Sequence, residues 1–259
     1  MTVDTFIDIY NASLNKRGEE LCGDKVKYQK TGTKTTVVLS DGLGSGVKAN
    51  ILATLTTEIL ITMLNADVPL KEVLKTVIGT LPICRVRKIA YSTFTILWVD
   101  SQTNHFKVIN FDNPPPVYCH NGHVVPLEMQ TQEILGRKIQ SAEGQLERGD
   151  FLGAISDGVL YAGMGMTMNF GWGWDNVAKY IEDVLIQKPH TAQTIVKEVI
   201  GQTSELYQGV IGDDATFVGI YIRKRNPLMV FTGPPLDEDH DEEYVDRLLG
   251  FEGRKAICG

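Results

Sequence analysis

The chain is short of the features that secreted, membrane-spanning and nucleic-acid-binding proteins rely on. Its four cysteines, Cys22, Cys84, Cys119 and Cys258, show no Cys-x-x-Cys spacing and follow no secretion signal. They read as reduced thiols of a cytoplasmic protein, which excludes a disulfide framework. No uninterrupted apolar run approaches the ~18 residues a membrane span requires, so no membrane partner is expected. Basic runs are scarce as well. Lys plus Arg is 25 against 32 Asp plus Glu, a net charge of −7, which excludes nucleic acid as the main partner. At 259 residues the chain can bury a full core, as one large domain or at most two small ones.

What the chain does have is aspartate at the ends of apolar runs. Val37-Val38-Leu39 leads into Ser40-Asp41-Gly42-Leu43-Gly44-Ser45-Gly46. A carboxylate at the end of a buried strand is costly to desolvate without a partner, and glycines beside it allow an unusually close approach of the backbone. A bound cation satisfies both demands. A plain Asp-Gly turn is the simpler reading of one such motif, and a phosphate loop fits poorly: the stretch is neither Gly-x-Gly-x-x-Gly nor closed by Lys-Ser/Thr. Recurrence favours the cation. Phe151 to Gly158 repeats the layout of apolar strand and Ser-Asp-Gly, Asp213-Asp214 precedes the run Phe217 to Ile222, and Gly23-Asp24 precedes a Val/Tyr strand. Oxygen-only ligands gathered from several strand ends suit hard cations, magnesium or manganese.

Taken in order, Thr5 to Leu14 reads as a short mixed segment packed on the first sheet. Lys25 to Gln29 and Thr35 to Leu39 form a hairpin across Thr31-Gly32-Thr33, which places Asp24 and Asp41 at one end of it. Ser45 caps a helix whose apolar face is Val47, Ile51, Leu52, Leu55, Ile59 and Met63. A second helix runs from Leu70 to Ile78 behind Pro69. Arg85-Val86-Arg87-Lys88 is a solvated loop or an attractor for a phosphoprotein. Strands follow over Tyr91 to Val99, Phe106 to Phe111, Val117 to Cys119 and His123 to Leu127, the last two joined by the turn Asn121-Gly122. Cys119, His120 and His123 lack the second ligand pair a zinc site needs, and the histidines read as exposed turn neighbours. Tyr161 to Gly173 is aperiodic and rich in Gly, Met and aromatics, a loop or flap beside the site. Helices open at Asp175 and at Thr191. From Pro234 the composition shifts, and Asp237 to Asp246 holds seven acidic residues and no basic one. Residues 1–232 are therefore expected to be one domain, and 233–259 an acidic linker with a short appended element, the stop at Gly259 being read as a truncation point.

In this order, Gly23-Asp24, Asp41 to Gly46, Asn110-x-x-x-Pro114-Pro115, Ser156-Asp157-Gly158-Val159 and Asp213-Asp214-x-Thr216 resemble the motifs of metal-dependent protein serine/threonine phosphatases of the PPM class, in the bacterial SpoIIE-like branch. The resemblance spans Gly23 to Arg223. It implies an α+β fold, a four-layer α/β/β/α sandwich of two antiparallel sheets flanked by helices, with two Mn²⁺ or Mg²⁺ ions where the sheet edges meet. It makes Asp41 the bridging carboxylate, Asp24 with the Gly42 carbonyl the second-metal set, and Asp157 with Asp213 the first-metal set, with Asp214 at the position beside the ligand. The implied reaction is hydrolysis of phosphoserine or phosphothreonine on a signalling protein of the STAS (anti-anti-sigma) type by a metal-bridging hydroxide, with Asp41, Asp157 and Asp213 as the catalytic carboxylates. The alternative is a catalytically inactive scaffold that has kept the fold. Leu43 stands where eukaryotic members carry a histidine, and no counterpart of their phosphate-gripping arginine is visible; a metal-bound water is then the acid.

Overall fold

The computed structural model describes residues 5–80, 92–187, 191–224, 228–232 and 254–258. Arg85-Val86-Arg87-Lys88 and the acidic run Asp237 to Asp246 lie outside them. Two antiparallel sheets face each other. The first has the order β1 (Thr5–Leu14), β11 (Ala215–Lys224), β10 (Phe151–Ile155), β6 (Val117–His120), β7 (His123–Val124). The second has the order β2 (Asp24–Thr31), β3 (Lys34–Gly42), β4 (Ser92–Asp100), β5 (His105–Phe111), β9 (Arg137–Gln145), β8 (Gln130–Ile134). Helices α1 (Gly46–Asn65) and α2 (Leu70–Thr80) cover the outer face of the second sheet, and α4 (Trp174–Gln187) and α5 (Ala192–Leu206) that of the first. This is the expected α/β/β/α sandwich. A separate parallel pair joins β12 (Leu228–Thr232) to β13 (Arg254–Cys258).

The central strands are apolar on both faces because each face is covered, and successive residues alternate between two cores. Val37 and Leu39 point between the sheets, while Val38 points to the α1/α2 layer. Leu97 and Val108 join the inter-sheet core, and their neighbours Ile96 and Ile109 join the helix side. In the first sheet Val218 faces inward and Phe217 packs under α4 and α5.

Two local readings change. Thr5 to Leu14 is a full edge strand, paired with β11 along its whole length from Thr5↔Lys224 to Leu14↔Ala215. Its partner lies some two hundred residues away, which no local pattern could announce. On α1, the residues packed at 0% exposure are Ala49, Ala53, Thr56, Thr57 and Leu60, whereas Val47, Ile51 and Leu55 are exposed at 60%, 59% and 44%. Small side chains let the helix lie close on β2 and β3, and close approach outweighed the larger apolar residues. The Thr56 and Thr57 hydroxyls donate to the Leu52 and Thr54 carbonyls, so neither enters the interface unpaired. By length and composition alone α1 is also long and apolar enough to cross a membrane, with mean hydropathy 1.4, although Lys48 and Glu58 interrupt its apolar run. Its buried face lies against a sheet.

Ala53→Leu should therefore cost about 1–3 kcal/mol through overpacking, and Ile51→Ser should stay within ~0.5 kcal/mol of wild type. Urea denaturation midpoints of the two variants check the assignment of the faces.

Candidate metal centre

The hairpin β2–β3 brings Asp24 and Asp41 directly opposite each other. Asp41 follows Leu39 by two residues, so it emerges on the inter-sheet side at the end of that core. Asp157 is the first residue of the one-turn helix α3 (Asp157–Leu160), entered straight from β10. Asp213 and Asp214 sit just before β11. β10 and β11 are clipped together there, since the Ser156 amide donates to the Thr216 carbonyl and the Thr216 amide donates to Ser156 Oγ. One end of the gap between the sheets thus gathers aspartates separated by nearly two hundred positions.

The glycines are required by close approach, to protein backbone rather than to a ligand. A side chain on Gly42 would strike the backbone of Ala49 in the first turns of α1, and one on Gly158 would strike the Asp214 carbonyl. The loop between them turns through positive φ at Gly44 (104°) and Gly46 (66°). Ser45 stands at the N-cap of α1 as expected, but its hydroxyl donates to Glu19 Oε1 at 2.9 Å instead of closing on the helix.

Electrostatically the pocket is overloaded. Asp24 is 4% exposed, and neither of its carboxylate oxygens has a full hydrogen bond. Burial pushes its carboxyl up to about 7, with Asp214 and Asp157 adding to the rise and the Ser156 and Thr216 hydroxyls easing it. Burial and then Asp24, Asp157, Asp213 and Asp214 push Asp41 up to about 9. Asp157 is raised by burial and by Asp213. A buried carboxylate without hydrogen bonds must hold a proton or face a cation. The donor set is all oxygen and hard, which fits magnesium or manganese. Among the described residues no group of three or more His, Cys, Asp or Glu side chains is already placed as a metal-binding cluster.

The two adjacent aspartates differ in kind. Asp214 is buried, and its oxygens accept from the Lys16 and Gly23 amides, both at 2.9 Å. It pins the segment that carries Asp24. The side chain of Asp213 is 43% exposed, with Lys16 Nζ at 3.6 Å. Nothing in the sequence separates the pair, because the partners of Asp214 are backbone groups far along the chain. Sequence reasoning also passed over the buried network behind Asp41. Ser92 Oγ donates to the Asp41 carbonyl and meets Ser40 Oγ at 2.6 Å; Thr93, Asn113, Thr95 and Asn110 continue it through side-chain hydrogen bonds. His120 is no exposed turn residue either. Its Nδ1 donates to Asp150 at 3.0 Å, and Asp150 is 1% exposed. His123 is exposed as expected.

The family model for Stage II sporulation protein E (SpoIIE) matches residues 31–223. The chain belongs to the SpoIIE family. Stage II sporulation protein E of Bacillus subtilis (strain 168) is 24% identical over 217 residues, covering 82% of this chain and 25% of that protein, so the chain spans a quarter of its relative's length. The PP2C phosphatase domain with a fragment of the regulatory domain of the cell fate determinant SpoIIE from Bacillus subtilis superposes with a TM-score of 0.71 at 22% identity, over 86% of this chain and 65% of that one. The RsbU and RsbW domains of a Mycobacterium tuberculosis protein give 0.68 at 18% identity, over 85% and 61%. RsbX, solved in complex with magnesium, gives 0.57 at 18% identity, over 83% and 95%. The SpoIIE-family chain therefore has the PP2C (PPM) fold.

Two outcomes follow for the metal-free protein. Unfolded carboxylates titrate near ~4, so between that pH and the raised values of Asp24 (about 7) and Asp41 (about 9) the folded state binds more protons than the unfolded one. Stability must then fall as pH rises through this window. Urea midpoints in chelator at pH 5 and pH 9 should show the decline, and Asp41→Asn should flatten it. Separately, Asp214→Ala should cost about 2–3 kcal/mol by stranding the buried Gly23 amide and the partly buried Lys16 amide, while Asp213→Ala should change stability by less than ~1 kcal/mol.

Proposed function

We propose that this chain is a Mg²⁺- or Mn²⁺-dependent protein serine/threonine phosphatase that hydrolyses phosphoserine or phosphothreonine on a bacterial regulatory protein of the STAS type. The observation that carries the reading is Asp24, buried with both oxygens lacking hydrogen bonds and facing Asp41 across the hairpin. Asp24 with the Gly42 carbonyl would hold one cation, Asp157 with Asp213 would hold the other, and Asp41 would serve both. Asp214 is a positioning residue that fixes Gly23-Asp24 through two backbone amides. Two divalent ions held there would offset the −4 of Asp24, Asp41, Asp157 and Asp213 and would supply Lewis-acid chemistry for hydrolysis of a phosphoester. Family membership, the PP2C fold and the magnesium bound by RsbX support the assignment.

The residues at the site also argue against a covalent route through Cys22. Burial and then Asp24 push its thiol up to about 12, so it carries almost no thiolate at neutral pH. No Cys-x-x-x-x-x-Arg pattern follows it. The buried network ending on the Asp41 carbonyl, and the contact of Gly42 with Ala49, hold the bridging position without help from a ligand.

Hydrolysis of p-nitrophenyl phosphate by wild type should require Mn²⁺ or Mg²⁺ and cease in chelator. Asp41→Asn should lower it at least ~100-fold, equivalent to about 2.7 kcal/mol of transition-state stabilisation. Equal turnover by the two proteins, or turnover indifferent to metal, removes the reading, and no turnover by wild type with metal leaves the scaffold alternative.

A further inference from the structure

The segment that leaves α3 is ordered by its own backbone. The amides of Met166, Thr167 and Met168 converge on the Gly163 carbonyl at 3.0 Å, and the Gly165 amide donates to the Met168 carbonyl at 2.9 Å. Thr167 Oγ1 donates to the Leu206 carbonyl, and the Gly173 amide to that of Leu160, both at 2.9 Å. Gly163, Gly165, Gly171 and Gly173 all take positive φ, and Gly171 lies so close to Leu160 and Tyr161 that no side chain would fit. Buried Ala162 and Trp172 anchor the two ends of the loop. What it shows to solvent is apolar: Tyr161 is 47% exposed, Met164 54%, Met166 51% and Phe170 89%. A loop this fully hydrogen-bonded holds those side chains outward as part of its fold.

Its position says what it meets. Tyr161 is the C-cap of the single turn that begins with Asp157, about 6 Å away by helical rise. Gly171 packs on Tyr161, which sets Phe170 beside it. Tyr207, next to the Leu206 carbonyl that Thr167 grips, donates its hydroxyl to the Gly158 carbonyl at 2.8 Å. Any protein that presents a phosphorylated side chain to the aspartate pocket therefore lays its neighbouring surface against this rim. Net charge does not favour a phosphorylated partner: the chain carries −7, and among the described residues the ion pair at the pocket is Lys16 with Asp213. At this rim the contacts on offer are indifferent to sign. Adaptable methionines around an aromatic anchor are of that kind.

Resting on the phosphatase reading above, we propose that Tyr161, Met164, Met166 and Phe170 form the docking surface for the substrate, a folded phosphoprotein with an apolar patch beside its phosphorylated serine. The test uses three substrates with wild type and the double variant Met166→Ser, Phe170→Ser: p-nitrophenyl phosphate, a phosphoserine peptide, and a folded STAS-domain protein phosphorylated on serine. Wild type should prefer the folded protein over the peptide, with a KM that does not rise between 50 and 300 mM salt. The double variant should raise that KM at least tenfold, with its unfolding midpoint and its hydrolysis of p-nitrophenyl phosphate unchanged. An unaltered KM in the variant, or no preference for the folded protein in wild type, overturns the docking surface and leaves the phosphatase standing. Failure of wild type to turn over p-nitrophenyl phosphate with metal overturns both. A shift from dimer to monomer in the variant, by sedimentation, reassigns the rim to self-association and overturns the proposal as well.

Discussion

Mutual repulsion among carboxylates that the fold will not let apart is the constraint around which this molecule is arranged. Asp24 and Asp41 cannot separate because they are cross-strand partners. Asp157 cannot withdraw because it begins α3 directly from a strand buried on both faces. Against that repulsion stand devices that contribute nothing chemically but hold the backbone in place: the Gly42 contact with α1, the Gly158 contact with Asp214, and the Ser156–Thr216 clip. The two glycine contacts replace a side chain with backbone proximity. That is why glycine is needed at Gly42 and Gly158 even though neither has a positive φ.

Helix α1 is the mechanical partner of the pocket. Its N-terminal turns touch the Asp41-Gly42 backbone, and its small-residue face seats it on β2 and β3, the two strands that carry Asp24 and Asp41. The helix, the hairpin and the carboxylates form one packed unit. Large apolar side chains at Val47, Ile51 and Leu55 are left outside that packing.

The fold class was legible through the five ordered motifs and the family resemblance they carry, whose aspartates stand at the ends of apolar runs such as Val37 to Leu39. The hairpin turn at Asn121-Gly122 was legible too, since the φ values of 53° and 81° found there are what that dipeptide favours. The α1 face was misjudged because a hydrophobic period identifies apolar residues but not how near a sheet must come. The β8–β9 hairpin went unseen because its strands are largely exposed, with Ile134, Ile139 and Ala142 as the buried signal, and its turn at Leu135-Gly136 carries an atypical first residue. The candidate site divided in the same way. Asp24, Asp41, Asp157, Asp213 and Asp214 could all be named as candidates in advance. That Asp214 accepts from the Lys16 and Gly23 amides, and that Ser92 to Asn110 form a buried network, could not, because those partners are defined only by the fold.

The pairing of β1 with β11 also governs the order in which the molecule can be made. β1 finds its hydrogen-bonding partner only among residues 215–224, and the loop bearing Asp24 takes two of its anchoring hydrogen bonds from Asp214. Contacts of such long sequence separation form late. During synthesis β1 must wait with an unpaired edge, and the aspartate pocket stay half-built, until residues 214–224 have emerged, and an unpaired strand edge is a template for pairing with another chain.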